Sequence, residues 1–292
     1  MNKVAVLGAG IMGAGIAQVA AQGGYQVLLR DLQKSIVQDG LVTVEKNLAK
    51  AINKKRLSTE QRDDILSRIQ TCTDLAEVHD ADLVIEAVVE NMAVKKQIFA
   101  ELDHLCPPHT LLATNTSSLS ITEIASATRR KDKVLGMHFF NPVPAMKLVE
   151  LVQGMETSHD TIERARQFTK QIGKQEVVVH RDSPGYIVNR ILVPYINEAV
   201  FIKGEGLANA EEIDMAMKLG AGMPMGPLEL ADMIGLDIVY AVILVFYNEF
   251  RDPKYRPHQL FSTMIRAGYL GRKTGRGFYR YSNGENQEVL NN

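Results

Sequence analysis

Near its start the chain reads Lys3-Val-Ala-Val-Leu7, and Gly8-Ala-Gly10-Ile11-Met12-Gly13 follows without a break. A short apolar run that leads through Gly-x-Gly-x-x-Gly into a helix is typical of the first strand, loop and helix of a dinucleotide-binding fold. The glycines allow a sharp turn and let backbone N–H groups approach a pyrophosphate at the positive end of the helix. A strand-to-helix turn whose glycines serve only packing is the alternative.

A carboxylate stands where such a fold would use one. Asp31 follows Gly10 by about 20 residues and ends a second apolar run, Gln26-Val-Leu-Leu-Arg30. A carboxylate at this place accepts hydrogen bonds from the adenine ribose and repels a 2′-phosphate. The pattern therefore favours NAD over NADP, although the adjacent Arg30 would suit a phosphate.

The first half of the chain continues the same alternation of short apolar runs and helical stretches. Further runs lie at 83–89, 111–114 and 134–138, and those at 148–152 and 177–179 extend the series. Continuous Val, Ile and Leu runs are typical of strands buried on both faces, and helical stretches between them require crossover connections. We therefore predict an α/β fold with a Rossmann-type, doubly wound, mainly parallel sheet.

One interval is too long for a simple crossover. Leu41, Val44, Leu48 and Ile52 recur at helical spacing, and Ser58 or Thr59 could cap a second helix. We predict a helical hairpin inserted at about 35–68.

After Arg181 the pattern changes to helical periodicity with no convincing strand. We place a domain boundary there, which gives a cofactor-binding domain at 1–182 and an all-helical C-terminal domain at 183–292. The run Ile238-Val-Tyr-Ala-Val-Ile-Leu-Val-Phe246 is apolar all round, and a small domain can bury such a helix only centrally or against a partner. A homodimer is the expected assembly.

Composition excludes several classes of protein. The 33 basic and 34 acidic residues leave a net charge of −1, so no overall field favours nucleic acid or an anionic membrane. Cys72 and Cys106 show neither disulfide nor zinc spacing, and we expect no metal site. No basic and apolar leader precedes Lys3, and the longest nearly pure apolar run is too short to span a bilayer. The expected location is the cytoplasm.

A histidine and a glutamate are the candidate catalytic groups. His138 ends a predicted strand, and Glu150 lies inside the next one, Lys147-Leu-Val-Glu-Leu-Val152. A buried carboxylate needs a partner, and an imidazole with one nitrogen bound to it can exchange a proton through the other. Such a pair beside a nicotinamide suits an alcohol–ketone oxidoreductase. A satisfied core histidine and a water-facing glutamate at a sheet edge are the alternatives.

Together these residues resemble the L-3-hydroxyacyl-CoA dehydrogenase family over the whole chain, and most of all its stand-alone 3-hydroxybutyryl-CoA dehydrogenases. The matching segments are Val6-Leu-Gly-Ala-Gly-Ile-Met-Gly-Ala-Gly-Ile-Ala17, Glu86-Ala-Val-Val-Glu90, Thr114-Asn-Thr-Ser-Ser-Leu119, His138-Phe-Phe-Asn-Pro-Val-Pro144, Leu148-Val-Glu150, Pro184-Gly-Tyr-Ile-Val-Asn-Arg190, Pro224-Met-Gly-Pro-Leu-Glu-Leu230 and Gly275-Arg-Gly-Phe-Tyr279.

The resemblance implies roles for individual residues. It makes His138 the catalytic base and Glu150 its orienting carboxylate, with Ser117 on the substrate oxygen and Asn189 beside the substrate. Positions that would contact the cofactor are Gly8, Gly10, Ile11, Met12, Gly13, Asp31, Glu90, Lys95 and Asn115. The second domain would be the family's dimerisation domain.

The resemblance also implies that the hairpin meets the nucleotide end of CoA, with Lys54 as the aligned contact. Lys46, Lys50 and Lys54 lie on one face of the predicted helix, and a solvated helix face is the alternative explanation. A serine that joins this lysine in some relatives is Asn47 here.

The implied reaction is the reversible NAD-dependent oxidation of (3S)-3-hydroxyacyl-CoA to 3-oxoacyl-CoA. A dehydrogenase of a free 3-hydroxy acid and a catalytically silent NAD-binding structural or sensor protein are the alternative functions. The basic hairpin argues against the first. The presence of His138, Glu150, Ser117 and Asn189 argues against the second.

Overall fold

The computed structural model describes residues 1–282 and 285–289, and the chain divides into two compact units, Met1–Ser183 and Pro184–Asn292. The division falls one residue after the boundary drawn from the sequence. Each unit has its own hydrophobic core. This division does not show which unit binds the cofactor or which one forms a dimer.

The first unit contains an eight-stranded sheet with the order β3-β2-β1-β4-β5-β6-β7-β8. All neighbouring strands are parallel except β6 and β7, which confirms the predicted doubly wound, mainly parallel sheet. The strand order reverses between β1 and β4, where ligands bind outside the carboxyl ends of the strands. The strands are β1 Lys3–Leu7, β2 Gln26–Arg30, β3 Ile69–Cys72, β4 Leu83–Glu86, β5 Leu111–Thr114, β6 Val134–Phe139, β7 Leu148–Gln153 and β8 Gln175–Val179.

Strand β3 was not predicted from the sequence. Only its end residues, Ile69 and Cys72, are buried, while Gln70 and Thr71 are exposed. This edge strand therefore lacks the apolar run that marks the central strands.

Six helices accompany this sheet. They are α1 Ile11–Gln22, α2 Lys34–Asn53, α3 Thr59–Ser67, α4 Met92–Leu105, α5 Ile121–Ala125 and α6 His159–Gln171. The predicted hairpin is present as α2 and α3. Ser58 caps α3 by accepting a hydrogen bond from the backbone of Gln61, whose side chain in turn accepts one from the Ser58 backbone.

The second unit is mainly helical, as predicted, with α7 Val188–Gly204, α8 Ala210–Gly220, α9 Pro227–Ile234, α10 Leu236–Phe250 and α11 Gln259–Arg266. The expectation of an all-helical unit needs one correction. Tyr279–Ser282 (β9) and Glu285–Val289 (β10) pair as an antiparallel hairpin. The β10 sequence is short and polar, so no apolar pattern predicts a strand there. The tyrosines of β9 are held by hydrogen bonds to buried aspartates, which are described below.

Within residues 1–282 and 285–289, no single helix is long and apolar enough to span a membrane. Helices α9 and α10 reach that length and composition only when taken together, and a bend of 98° separates them.

Candidate active site

The glycine loop after β1 is shaped by close backbone approaches. Gly8 has a φ of +97°, and a Cβ there would lie 2.5 Å from the Ala87 carbonyl oxygen. A Cβ on Gly13 would lie 1.7 Å from the Gly8 carbonyl oxygen. By contrast, a Cβ built on Gly10 would have no described atom within 4 Å apart from its neighbours in the chain, so the turn is tightly packed on its inner side and open at Gly10.

The open side of this loop fits a pyrophosphate. Helix α1 begins directly after Gly10, which has no side chain to cap it, and the first turn carries no acidic residue. The positive end of the helix is therefore available to an anion. Ile11 is 72% exposed, and Met12 is partly buried against the core.

Asp31 is held at the rim of the same loop. Its carboxylate accepts hydrogen bonds from the backbone N–H groups of Ala9 and Leu32, each at 2.7 Å. The Arg30 side chain bends towards β3, where its Nε donates to the Thr73 carbonyl at 3.0 Å. The loop thus lies beside a carboxylate fixed in place.

A cavity of about 580 Å³ adjoins Asp31. Its lining is largely apolar and includes exposed aliphatic side chains such as Leu32 and Val89, together with Ile98 of α4. An apolar slot with a carboxylate at its mouth suits an adenosine. Loop, helix end, carboxylate and cavity together fit a dinucleotide.

Glu86, at the end of β4, is the centre of a buried polar network. Its carboxylate accepts hydrogen bonds from Lys95 Nζ at 2.6 Å, from Thr114 Oγ1 at 2.7 Å and from the Val88 backbone at 2.7 Å. Glu86 and Lys95 are almost completely buried, so each charge depends on the other for compensation. Sequence reasoning did not single out Glu86, although a carboxylate in a buried strand was the signal that identified Glu150.

Glu90 extends this network to the loop after β5. Its Oε2 lies 3.4 Å from Lys95 Nζ, and its Oε1 accepts hydrogen bonds from the Thr116 hydroxyl, the Ser117 backbone and the Ser118 hydroxyl. The structure therefore brings Glu90, Lys95 and Ser117 together.

Asn115 connects the same loop to the histidine strand. Its Oδ1 accepts a hydrogen bond from the Phe139 backbone at 2.8 Å. Phe139 directly follows His138 on β6, so the ends of β5 and β6 are held together at this rim.

His138 and Glu150 form a buried pair. They lie directly opposite each other in the antiparallel pairing of β6 and β7, so their side chains share one face of the sheet. His138 Nδ1 lies 2.7 Å from Glu150 Oε2, and the two residues are 5% and 0% exposed. An ionised carboxylate only accepts hydrogen bonds, so Nδ1 is the ring nitrogen that donates in this contact. Glu150 is buried on a strand between two others, so it is not a water-facing glutamate at a sheet edge. A satisfied core histidine would make the same contact with Glu150, and the catalytic role of the pair is therefore taken up as a proposal below.

The two remaining predicted site residues are Lys54 of the first unit and Asn189 of the second. Lys54 follows α2 and is exposed, as are Lys46 and Lys50. Asn189 is partly buried in the first turn of α7 in the second unit.

Asn47 donates a hydrogen bond to the buried Gln18 of α1 at 3.2 Å, so its amide helps to pack the hairpin against α1. Among the described residues, no cluster of His, Cys, Asp and Glu could hold a metal ion.

Comparison with known proteins identifies the family. Residues 3–183 match the model of the 3-hydroxyacyl-CoA dehydrogenase NAD binding domain, and residues 185–281 match that of the C-terminal domain. A 3-hydroxybutyryl-CoA dehydrogenase of Clostridioides difficile is 52% identical over 96% of this chain and 99% of its own length. The mitochondrial hydroxyacyl-coenzyme A dehydrogenase of Sus scrofa is 46% identical over 96% and 91%.

A solved structure has the same fold along the chain. The crystal structure of (S)-3-hydroxybutyryl-CoA dehydrogenase from Ralstonia eutropha superposes with a TM-score of 0.94 at 49% identity, covering 97% of this chain and all of that one. With a glycine loop that fits a dinucleotide and a buried His–Glu pair, the chain belongs to the NAD-dependent 3-hydroxyacyl-CoA dehydrogenases, a family of oxidoreductases.

Proposed function

We propose that this protein interconverts (3S)-3-hydroxyacyl-CoA and 3-oxoacyl-CoA with NAD, and that short acyl chains such as 3-hydroxybutyryl are its substrates. The observation that carries the proposal is the buried contact of 2.7 Å between His138 and Glu150, within the NAD-binding unit. The similarity to proteins named 3-hydroxybutyryl-CoA dehydrogenase supports the short chain.

His138 acts as the general base in this proposal. Its Nδ1 contacts Glu150, and its other ring nitrogen, Nε2, would take the proton of the 3-hydroxyl group. The Glu150 carboxylate stabilises the imidazolium that results, because an opposite charge in a buried site favours the charged form. NAD, when bound, accepts the hydride that leaves C3. In the reverse direction the imidazolium returns its proton to the C3 oxygen.

The resemblance to the family supports the remaining roles. Ser117 would donate to the C3 oxygen, and Asn189 would hold the substrate. Glu90, Lys95 and Asn115 would border the nicotinamide end, where Lys95 also neutralises Glu86. Lys54 would meet a CoA phosphate, as an exposed cation can.

We also propose that the protein is a cytoplasmic homodimer. In α10, Val239, Ile243 and Phe246 are buried within the unit, while Ile238 is 49% exposed and free to pack against a second copy. Cys72 and Cys106 are buried free thiols, which suit a reducing compartment. A monomeric mass by light scattering at micromolar concentration would contradict the dimer, and recovery of the native protein in another cellular fraction would contradict the location.

The function is tested by NADH oxidation with acetoacetyl-CoA, a longer 3-oxoacyl-CoA and free acetoacetate, each repeated with NADPH. We expect the highest kcat/KM for acetoacetyl-CoA with NADH. Equal turnover of free acetoacetate would favour a dehydrogenase of free 3-hydroxy acids. No turnover of any substrate, with NADH binding intact, would favour a silent NAD-binding protein.

A further inference from the structure

Lys174 is a buried cation that the reaction described above does not use. It lies between α6 and β8, after Gly173, whose φ of +72° ends the helix, and it is only 8% exposed. Among the described residues no carboxylate forms an ion pair with it. Burial lowers the pKa of its ammonium group. A lysine kept in such a place must gain from specific contacts.

Those contacts are two backbone carbonyls of a single loop. Lys174 Nζ donates to the carbonyl oxygens of Val143 at 2.7 Å and Met146 at 2.6 Å. Within the loop, the Pro142 carbonyl accepts hydrogen bonds from the backbones of Ala145 and Met146, each at 3.0 Å. Lys174 therefore holds both ends of a tight turn.

This loop joins the two strands of the catalytic pair. It leaves β6 after Phe139 and enters β7 at Leu148, so His138 and Glu150 lie close to its two ends. The loop also packs against the cofactor helix α1, because a Cβ on Gly15 would lie 2.8 Å from Val143 Cβ. The loop is thus held by α1 on one side and by the Lys174 ammonium group on another.

We propose that Lys174 is a positioning residue for the His138–Glu150 pair, because its ammonium group fixes the loop between their strands. The inference rests on the proposed function. Lys174 touches no reacting atom; it keeps the two strand ends in the register that brings Nδ1 and the carboxylate within hydrogen-bond distance. Displacement of about 1 Å at a reacting group can cost two orders of magnitude in rate.

The test compares Lys174→Met with Lys170→Met, a matched change at an exposed lysine on the last turn of α6. We expect Lys174→Met to lower kcat with acetoacetyl-CoA and NADH at least about tenfold, with little change in KM and in NADH binding. Lys170→Met should match the wild type. Lys174→Arg, which keeps the charge and the donors, should recover most of the lost turnover.

A second background separates positioning from general destabilisation. In Glu150→Gln, where the pair is already broken, adding Lys174→Met should lower kcat by less than about twofold, because the two changes act through one geometry. Equal fold-losses in both backgrounds, or wild-type kcat in a folded Lys174→Met, would overturn the proposal. If Lys174→Met does not fold, Lys174→Gln is measured in its place.

The outcome for the function is read separately from the wild type. If the wild type reduces free acetoacetate rather than its CoA ester, the proposed substrate is wrong. The fold-changes in kcat of the Lys174 variants are then measured with free acetoacetate. If the wild type has no oxidoreductase activity, both proposals fail.

Discussion

The two units each bury carboxylates, but they give them different partners. In the first unit, Glu150 faces an imidazole across two strands. In the second, Asp232 accepts hydrogen bonds from the backbones of Phe278 and Tyr279 and from the Tyr281 hydroxyl, each at 2.9 Å. The burial is the same, 0% and 1% exposed, so burial alone does not distinguish a catalytic carboxylate from a structural one.

The partner decides what each carboxylate can do. Backbone N–H and phenol groups keep their protons near neutral pH, so the partners of Asp232 exchange no proton with it and the contacts anchor the β9 strand. Asp214 does the same for the start of α9, through the Leu228 and Glu229 backbones, and for the Tyr279 hydroxyl. An imidazole can lose and regain a proton, so the Glu150 pair can perform chemistry.

The largest effect should come from breaking the imidazole pair. We predict that His138→Gln or Glu150→Gln lowers kcat by about 10²- to 10⁴-fold, since general base catalysis is lost. NADH binding, measured by fluorescence titration, should be retained. His180→Gln is the control, because His180 is an exposed histidine whose Nδ1 lies 3.2 Å from Gln153 of β7. Near-wild-type turnover in both pair variants would show that His138 and Glu150 are not catalytic residues.

Glu86 provides an intermediate case, a buried carboxylate whose partner is the ammonium group of Lys95. We predict that Glu86→Gln lowers the free energy of unfolding by about 3 kcal/mol, because the Lys95 charge stays buried and, in the described part of the chain, keeps only Glu90 as a carboxylate partner. Urea unfolding measures this. Glu123→Gln, which removes an exposed partner 3.5 Å from Lys96, should change stability far less. Equal effects of the two substitutions would refute the charge-compensation role.

Asp232→Asn should cost about 1–3 kcal/mol of unfolding free energy, because an amide cannot accept from all three donors, while kcat stays at the wild-type value. Asp237→Asn, at an exposed pair with Lys273, is the control and should be nearly neutral. A loss of kcat without a loss of stability would contradict the purely structural role of Asp232.

The same aspartate also predicts a pH dependence. Burial raises the pKa of Asp232 to about 6, against the opposing effect of its hydrogen bonds with Phe278, Tyr279 and Tyr281. Because this pKa lies above that of an unfolded aspartate, its contribution to stability is present at low pH and is lost as the pH rises through about 6. The wild type should therefore lose stability relative to Asp232→Asn between about pH 4 and about pH 7. A constant difference would contradict the raised pKa.

The smallest effect concerns an exposed charge. We predict that Lys54→Ala raises KM for a CoA thioester a few-fold, as expected for the loss of up to about 1 kcal/mol from an exposed ion pair. KM for a truncated thioester without the nucleotide should not change. Lys170→Ala serves as the control. Equal effects on KM for the two substrates would show that Lys54 does not contact the nucleotide of CoA.

Sequence patterns predicted what depends on local periodicity. The central strands and the hairpin α2–α3 follow from apolar runs and helical spacing. The sequence offered Ser58 or Thr59 as the cap of α3, and the structure has Ser58. Strand β3 was missed because only Ile69 and Cys72 are buried in it. The hairpin β9–β10 was missed because its anchors, Asp214 and Asp232, lie far from it along the chain.

Some residues of the candidate site were likewise identified from the sequence, and others were not. The glycine loop, Asp31, His138 and Glu150 were all identifiable, because each is a chemical exception within an apolar or helical pattern. Glu86 showed the same exception and was overlooked. Lys174 showed none, since a lysine after a glycine at a helix end is ordinary, and only its burial and its two carbonyl contacts mark it.

By itself, the sequence determined the family, the cofactor fold and the identity of the groups able to exchange a proton, since these depend on residue type and on order along the chain. Tertiary structure decided the geometry of the predicted His–Glu pair and the polar contacts that the sequence did not predict. The antiparallel pairing of β6 and β7 sets His138 opposite Glu150, and the connection from α6 to β8 places Lys174 within hydrogen-bond distance of the loop between them. Contacts between distant segments follow from register and packing, and short-range patterns do not encode them.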